Sequence, residues 1–230
     1  MGGPGLMSIY YSDDFVTLYH GDCLTEHREW LDADVLVTDP PYGSDNGMGY
    51  GRHGGNGRAD GKAFRIANDD TTEVRDAVLE AWGAGPVIAF GTPRLPEPPG
   101  GWDNRLVWDK REPGLNGGPW RYTHESIFVR GEGWKRASAS SFSILSYPSG
   151  NGSPEKRDHV HAKPVALMMR LIESAPDGTI ADPFSGSGAT LVAAKNLGRK
   201  VIGVELEERY CEIIARRCAQ GVLDIFGGAA

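Results

Sequence analysis

The chain has 230 residues, 40% of them hydrophobic and 24% charged, enough to bury a full core in one large domain or in a domain with an inserted lobe. It has no long apolar run to span a membrane, and its start, MGGPGLMSIYY, lacks the basic and apolar regions of a signal peptide, so 1–6 are read as a leader and 7–230 as the domain. A net charge of −7 argues against indiscriminate polyanion binding while allowing a local basic face, and Cys23, Cys211 and Cys218, lacking even pairing or CxxC spacing, point to reduced thiols in a cytoplasmic protein.

In chain order, 15–19 and 35–38 read as strands, with β-branched and aromatic residues ended by turn formers. The segment 43–62 is so rich in glycine that it has no fixed fold alone; it is expected to be a flexible loop or lid, carrying Arg52, Arg58 and Lys62. Asp70 and Thr71 can cap a helix running to Trp82. Strands at 87–90, 105–108 and 126–129 follow, the last two with no helix between them and so a candidate hairpin. The segment 131–158 breaks the pattern, is rich in Ser, Gly and Pro, and carries Lys135, Arg136, Lys156 and Arg157; it is the candidate target-recognition insertion. Helices at 163–174, 189–197 and 207–218 alternate with strands at 179–181 and 200–204. Seven strands alternating with helices imply an α/β, doubly wound, mainly parallel sheet.

Two stretches carry chemistry. VTDPPYG stops a strand at Asp39 and follows it with Pro40, Pro41 and Tyr42, presenting a carboxylate and an aromatic ring on a segment that cannot extend the sheet. Alone, such a segment reads equally as a rigid turn with a capping Asp. Near the end, a strand stops at Asp182, a Gly186/Gly188 loop turns into a helix, and the next strand stops at Glu205, about 20 positions beyond the loop. That arrangement puts backbone N–H groups and a helix N-terminus beside a carboxylate suited to a ribose, and so implies a nucleotide-like cofactor; the plainer alternative is a tight turn and a solvated strand end. Leu191 replaces the third glycine of the dinucleotide fingerprint and no GK[ST] is present, which disfavours NAD and ATP.

DPPY together with DPFSGSGAT resembles the amino-methyltransferases that use S-adenosylmethionine to methylate exocyclic amines of DNA bases. The order of the two motifs is similar to that of their permuted β group. HGD, VIAFG, LVWDK, HESIFV, HVHAKP and VIGVEL extend the resemblance over nearly the whole chain. It implies a Rossmann-like methyltransferase sheet entered at its third strand and finished with its first and second. It also implies double-stranded DNA as partner and, since such enzymes are often dimeric, a homodimer. Asp182, Pro183, Phe184, Ser185, Gly186, Ser187 and Gly188 would form the cofactor loop, with Glu205 on the ribose, Lys163 at the methionine end and Asp22 near the adenine. Asp22 reads equally as a turn residue after Gly21.

Asp39 and the Pro40 carbonyl would accept hydrogens from the target amine, and Tyr42 would stack on a base swung out of the duplex. Lys135, Arg136, Arg52 and Arg58 are the candidate DNA contacts, and no metal is expected, since His159 and His161 lack accompanying ligands. The Asp in the first motif position favours N6 of adenine over N4 of cytosine. An RNA or protein-glutamine methylase and an inactive DNA-binding regulator are the other readings.

Overall fold

The computed structural model describes residues 9–41, 71–111, 120, 122–136, 142–149 and 162–220. They form a nine-stranded sheet of β1 (Ile9–Ser12), β2 (Val16–His20), β3 (Val35–Thr38), β4 (Val87–Gly91), β5 (Asn104–Asp109), β6 (His124–Arg130), β7 (Ile144–Ser146), β8 (Ile180–Asp182) and β9 (Val201–Glu205). In space the order is β1-β2-β9-β8-β3-β4-β6-β5-β7. Pairing is parallel from β2 through β4, antiparallel for β4–β6, β6–β5 and β1–β2, and parallel again for β5–β7. The expected 105–108 and 126–129 hairpin is β5 and β6.

The central strands are apolar up to their last residue because both faces are covered, and Thr38, Asp182 and Glu205 end β3, β8 and β9. In β3, Val35 and Val37 face one way and Leu36 the other, as the two-residue period requires. Helix α1 (Glu73–Trp82) and a short 3-10 helix (Glu29–Asp32) cover the Leu36 face with Val78, Leu79 and Trp30. Helices α2 (Val165–Glu173), α3 (Ala189–Asn196) and α4 (Glu208–Ala219) cover the other with Leu167, Leu171, Leu191 and Ile214. No helix among the described residues is long and apolar enough to cross a membrane. The cysteines are free and buried, and burial pushes the Cys23 thiol up to about 12.

Two strands exceed the seven read from the sequence, and both lie at sheet edges. β1 folds back on β2 through a turn in which Asp13 Oδ1 accepts the N–H groups of Phe15 and Val16, each at 2.9 Å. β7 has three residues of which only Leu145 is buried, too short a run to declare a period. It also corrects the reading of 131–158 as wholly outside the sheet, since part of that segment forms an edge strand on β5.

At the middle of the sheet, the Thr38 hydroxyl donates to Asp182 Oδ1 at 2.8 Å, both side chains being fully enclosed. Thr38→Val keeps the shape and removes that donor, leaving a buried carboxyl underpartnered. It is expected to destabilise the fold by about 1–3 kcal/mol, measurable as a lower urea midpoint at unchanged slope.

Candidate functional site

β8 leads through α3 to β9 on one side, and β3 leads through α1 to β4 on the other, so the chain diverges between β8 and β3. A crevice at the carboxyl ends of strands opens at such a switch point, where α/β sheets bind ligands. Both chemistry-bearing stretches end there: Asp39 follows β3, and the glycine loop follows β8.

Asp182 organises the loop from within. Its Oδ1 accepts from Thr38 and from the Phe184 N–H at 3.2 Å, while its backbone carbonyl accepts the Ser185 hydroxyl at 2.9 Å. Only 2% exposed, it has its carboxyl pushed up to about 6 by burial, against the pull of the Thr190, Thr38 and Phe184 bonds. Asp182, expected in the cofactor loop, has a carboxyl that braces that loop against β3. Pro183, Ser185 and Ser187 are buried as well, leaving Phe184 and Gly186 as the partly exposed members of the loop. Gly188 opens α3 in the left-handed region (φ 82°), and a Cβ there would lie 2.8 Å from Ile214. Both facts require glycine.

Glu205 closes the other wall. Oε2 accepts the Gly186 N–H at 2.7 Å and Oε1 the Glu207 N–H at 2.9 Å, so the loop and the end of β9 are joined through one carboxylate. It is 8% exposed, and burial pushes it up to about 7 despite those two bonds. Each oxygen retains a lone pair, so the group fits a pair of ribose hydroxyls, whose donation favours the charged form. Asp22 sits next door, with Gly21 N–H donating to the Glu205 carbonyl at 3.0 Å, but its Oδ1 accepts the Leu24 and Thr25 N–H groups at 2.8 and 2.9 Å, as a turn cap does.

On the β3 side Asp39 and Pro41 are partly exposed and Pro40 is buried. The Lys163 ammonium pairs with Asp39 Oδ2 and lies 3.2 Å from Glu125 Oε2, while Glu125 Oε1 is 2.5 Å from the Lys110 ammonium. Four charges of alternating sign thus run from Asp39 into the sheet. Phe90 and Trp108 lie beneath them, the Lys163 Nζ standing 5.0 and 5.9 Å from their ring centroids. Burial pushes Lys163 down, but Asp39 and Glu125 outweigh it and hold the ammonium above its ordinary value. Burial likewise pushes Glu125 up, and Lys163 and Lys110 bring it below the ordinary range. Lys163, expected at the methionine end of a cofactor, has its ammonium on Asp39. Glu125 and Lys110 received no role from the sequence, although HESIFV and LVWDK contain them. Glu125 sits between His124 and Ser126 at the start of β6 and Lys110 just past the end of β5, so no local pattern singled them out.

Lys135 and Arg136 are not brought to the site. β6 runs antiparallel to β4, so the chain leaving Arg130 emerges at the amino ends of the parallel strands. There the Lys135 N–H donates to the Ser174 carbonyl at 2.8 Å and its ammonium pairs with Asp177. Ser174 caps the far end of α2, whose first turn lies beside Lys163, about 13 Å of helix away. The segment that carries them therefore lies at the end of the sheet opposite Asp39. Tyr42, Arg52, Arg58, the loop 43–62 and most of 137–161 lie outside the described residues.

Held above its ordinary 4.5, Glu205 binds its proton more tightly in the folded protein than in the unfolded chain. Its contribution to stability is therefore greatest at low pH and is lost as pH rises through about 7. Glu205→Gln mimics the protonated form, so ligand-free variant and parent are expected to melt together near pH 4.5 and the variant higher at pH 8. Melting curves at the two pH values decide this; an equal gap at both would mean the charge is immaterial.

A model of the N6/N4 DNA methylase family matches residues 101–216, half of the chain. YubD of Escherichia coli (strain K12), described as a methylase, is 39% identical over 93 residues, and the chain spans only 39% of its length. The type II methyltransferase M2.LlaDCHI of Lactococcus lactis subsp. cremoris is 26% identical over 257 residues, covering 96% of this chain and 95% of its own. Among solved structures, M1.HpyAVI in complex with SAM aligns with a TM-score of 0.62 at 21% identity, over 88% of this chain and 98% of that one. The PvuII DNA methyltransferase, described as cytosine-N4-specific, aligns with a TM-score of 0.63 at 14% identity, over 91% and 88%. Both likenesses show the fold. The half matched by the family model carries Glu125, Lys163, the glycine loop and Glu205, and the chain belongs to the N6/N4 DNA methylase family.

Proposed function

We propose that the chain transfers a methyl group from S-adenosylmethionine to the N6 amine of an adenine swung out of double-stranded DNA. One observation carries this reading: the hydrogen bond between Thr38 and Asp182 locks the Asp39 strand end to the glycine loop on the neighbouring strand, about 5 Å across the sheet. A cofactor on the loop and a base at Asp39 would therefore meet. Glu205 and the Gly186 backbone fit a ribose, and Phe184 fits an adenine face. S-adenosylmethionine, when bound, supplies a methyl group activated by a positively charged sulfur.

The residues of this chain prepare the nucleophile. An exocyclic amine is a poor one because its lone pair is delocalised into the ring. Asp39 and the Pro40 carbonyl accept the two amine hydrogens, which favours a pyramidal nitrogen with its lone pair free to attack. The carboxylate stabilises the positive charge that grows on nitrogen and receives the proton released after attack. Pro40 and Pro41 keep that carbonyl out of the sheet ladder. Tyr42, next in sequence, is the stacking face for the flipped base. The order of the strands in space, with the last two of the chain inserted between β2 and β3, supports the permuted arrangement.

N4 of cytosine is the second reading, favoured by the fold shared with a cytosine-N4-specific enzyme. Asp39 favours adenine. Digestion of methylated DNA to nucleosides, read by mass, separates the two: N6-methyladenine is expected, and N4-methylcytosine would move the assignment. Asp39→Ala is expected to lower transfer by on the order of 10²–10³-fold with cofactor affinity retained.

For the DNA itself, the rim beside Asp39 replaces Lys135 and Arg136. Arg94, in the turn after β4, stacks at 5.1 Å over Tyr122, which precedes β6. Arg111 follows β5, and Trp120 is 84% exposed. Guanidinium groups interleaved with aromatics at the site end of the sheet suit phosphates and unstacked bases. Arg94→Ala is expected to weaken DNA binding and lower the slope of log affinity against log salt by about 1, whereas Lys135→Ala/Arg136→Ala should leave both unchanged. The opposite pattern would return recognition to 131–136.

A further inference from the structure

Glu125 is a carboxylate on β6, directly across from Trp108 of β5, in a site floored by Phe90 and Trp108. A charge there requires partners. Its two lysines differ in what they need from it. Lys110, with 29% of its side chain exposed, can be hydrated; Lys163, with 6%, cannot, and so depends on the carboxylates it faces. Without Glu125, more of the Lys163 charge would bear on Asp39, offsetting the negative charge that an attacking amine needs. With Glu125 in place, Lys163 is divided between two carboxylates 3.2 Å or less from its Nζ, and Asp39 keeps acceptor strength and a fixed orientation.

We propose that Glu125, tethered by Lys110, is a positioning residue for methyl transfer, acting on Asp39 through Lys163. This rests on the methyltransferase reading above. Glu125 touches neither amine nor cofactor in this scheme, so its removal acts on the transfer step and not on cofactor binding.

The test is a double-mutant cycle on the single-turnover rate of labelled methyl transfer to DNA, at saturating cofactor, with product counted over hours so that slow variants yield a rate. Glu125→Gln is expected to slow transfer on the order of tenfold with the cofactor dissociation constant unchanged. Lys163→Met should also slow it, and adding Glu125→Gln to Lys163→Met should cost nothing further. A near-parental rate for Glu125→Gln, or losses that multiply in the double variant, would overturn the proposal and leave Glu125 a structural neutraliser. Should Glu125→Gln fail to fold by its melting curve, Lys110→Gln takes its place, with a severalfold loss in the parent and none in the Lys163→Met background. Parent protein that labels no DNA sinks the methyltransferase reading, and positioning with it. Active parent with an unaffected Glu125→Gln sinks positioning alone.

Discussion

The buried carboxyl of Asp182 is the constraint on which the site depends. A carboxyl 2% exposed is costly unless it is bonded, and here the bonds come from three places: a hydroxyl of β3, an amide of the glycine loop and Thr190 in the first turn of α3. Because these partners belong to separate elements, satisfying one group sets the register between β8 and β3 and the path of the loop together. The distance between the two halves of the site is thus a packing property, protected by the expense of exposing or orphaning that carboxyl.

The carboxylates at the crevice are differentiated by environment. Glu205 is enclosed and held by amides alone, so it sits near neutrality, ready to be charged by hydroxyl donors. Asp39 is partly exposed and faces a lysine that shares a second carboxylate. One is closed in and held by amides, the other partly open to solvent and held by an ammonium. The net charge of −7 does not describe this end of the sheet, where Arg94 and Arg111 stand at the rim.

Sheet topology decides where the basic residues after β6 lie. Basic residues in an irregular segment after β6 look like a recognition loop when read along the chain. Yet the antiparallel reversal between β4 and β6 sends that segment to the opposite end of the sheet, where the Lys135 N–H bonds to the Ser174 carbonyl. The return through β7 restores the chain to the site end only at Ser146.

Local pattern determined a great deal. Short apolar runs such as 35–37 and 87–90, rich in β-branched residues, read as strands covered on both faces. The GSG loop between a strand and a helix demands positive φ at Gly188, and DPPY cannot extend a sheet. The class of fold, the loop, Asp39 and Glu205 were therefore legible, because each is written in adjacent residues. What tertiary structure decided is what joins distant residues: Asp182 turned inward to Thr38, 144 positions away, and Lys163 turned to Asp39, 124 positions away. Glu125 and Lys110 were recruited from a hairpin whose sequence announces only strands. Buried charges must find partners wherever the fold brings them, and no one-dimensional spacing encodes that choice.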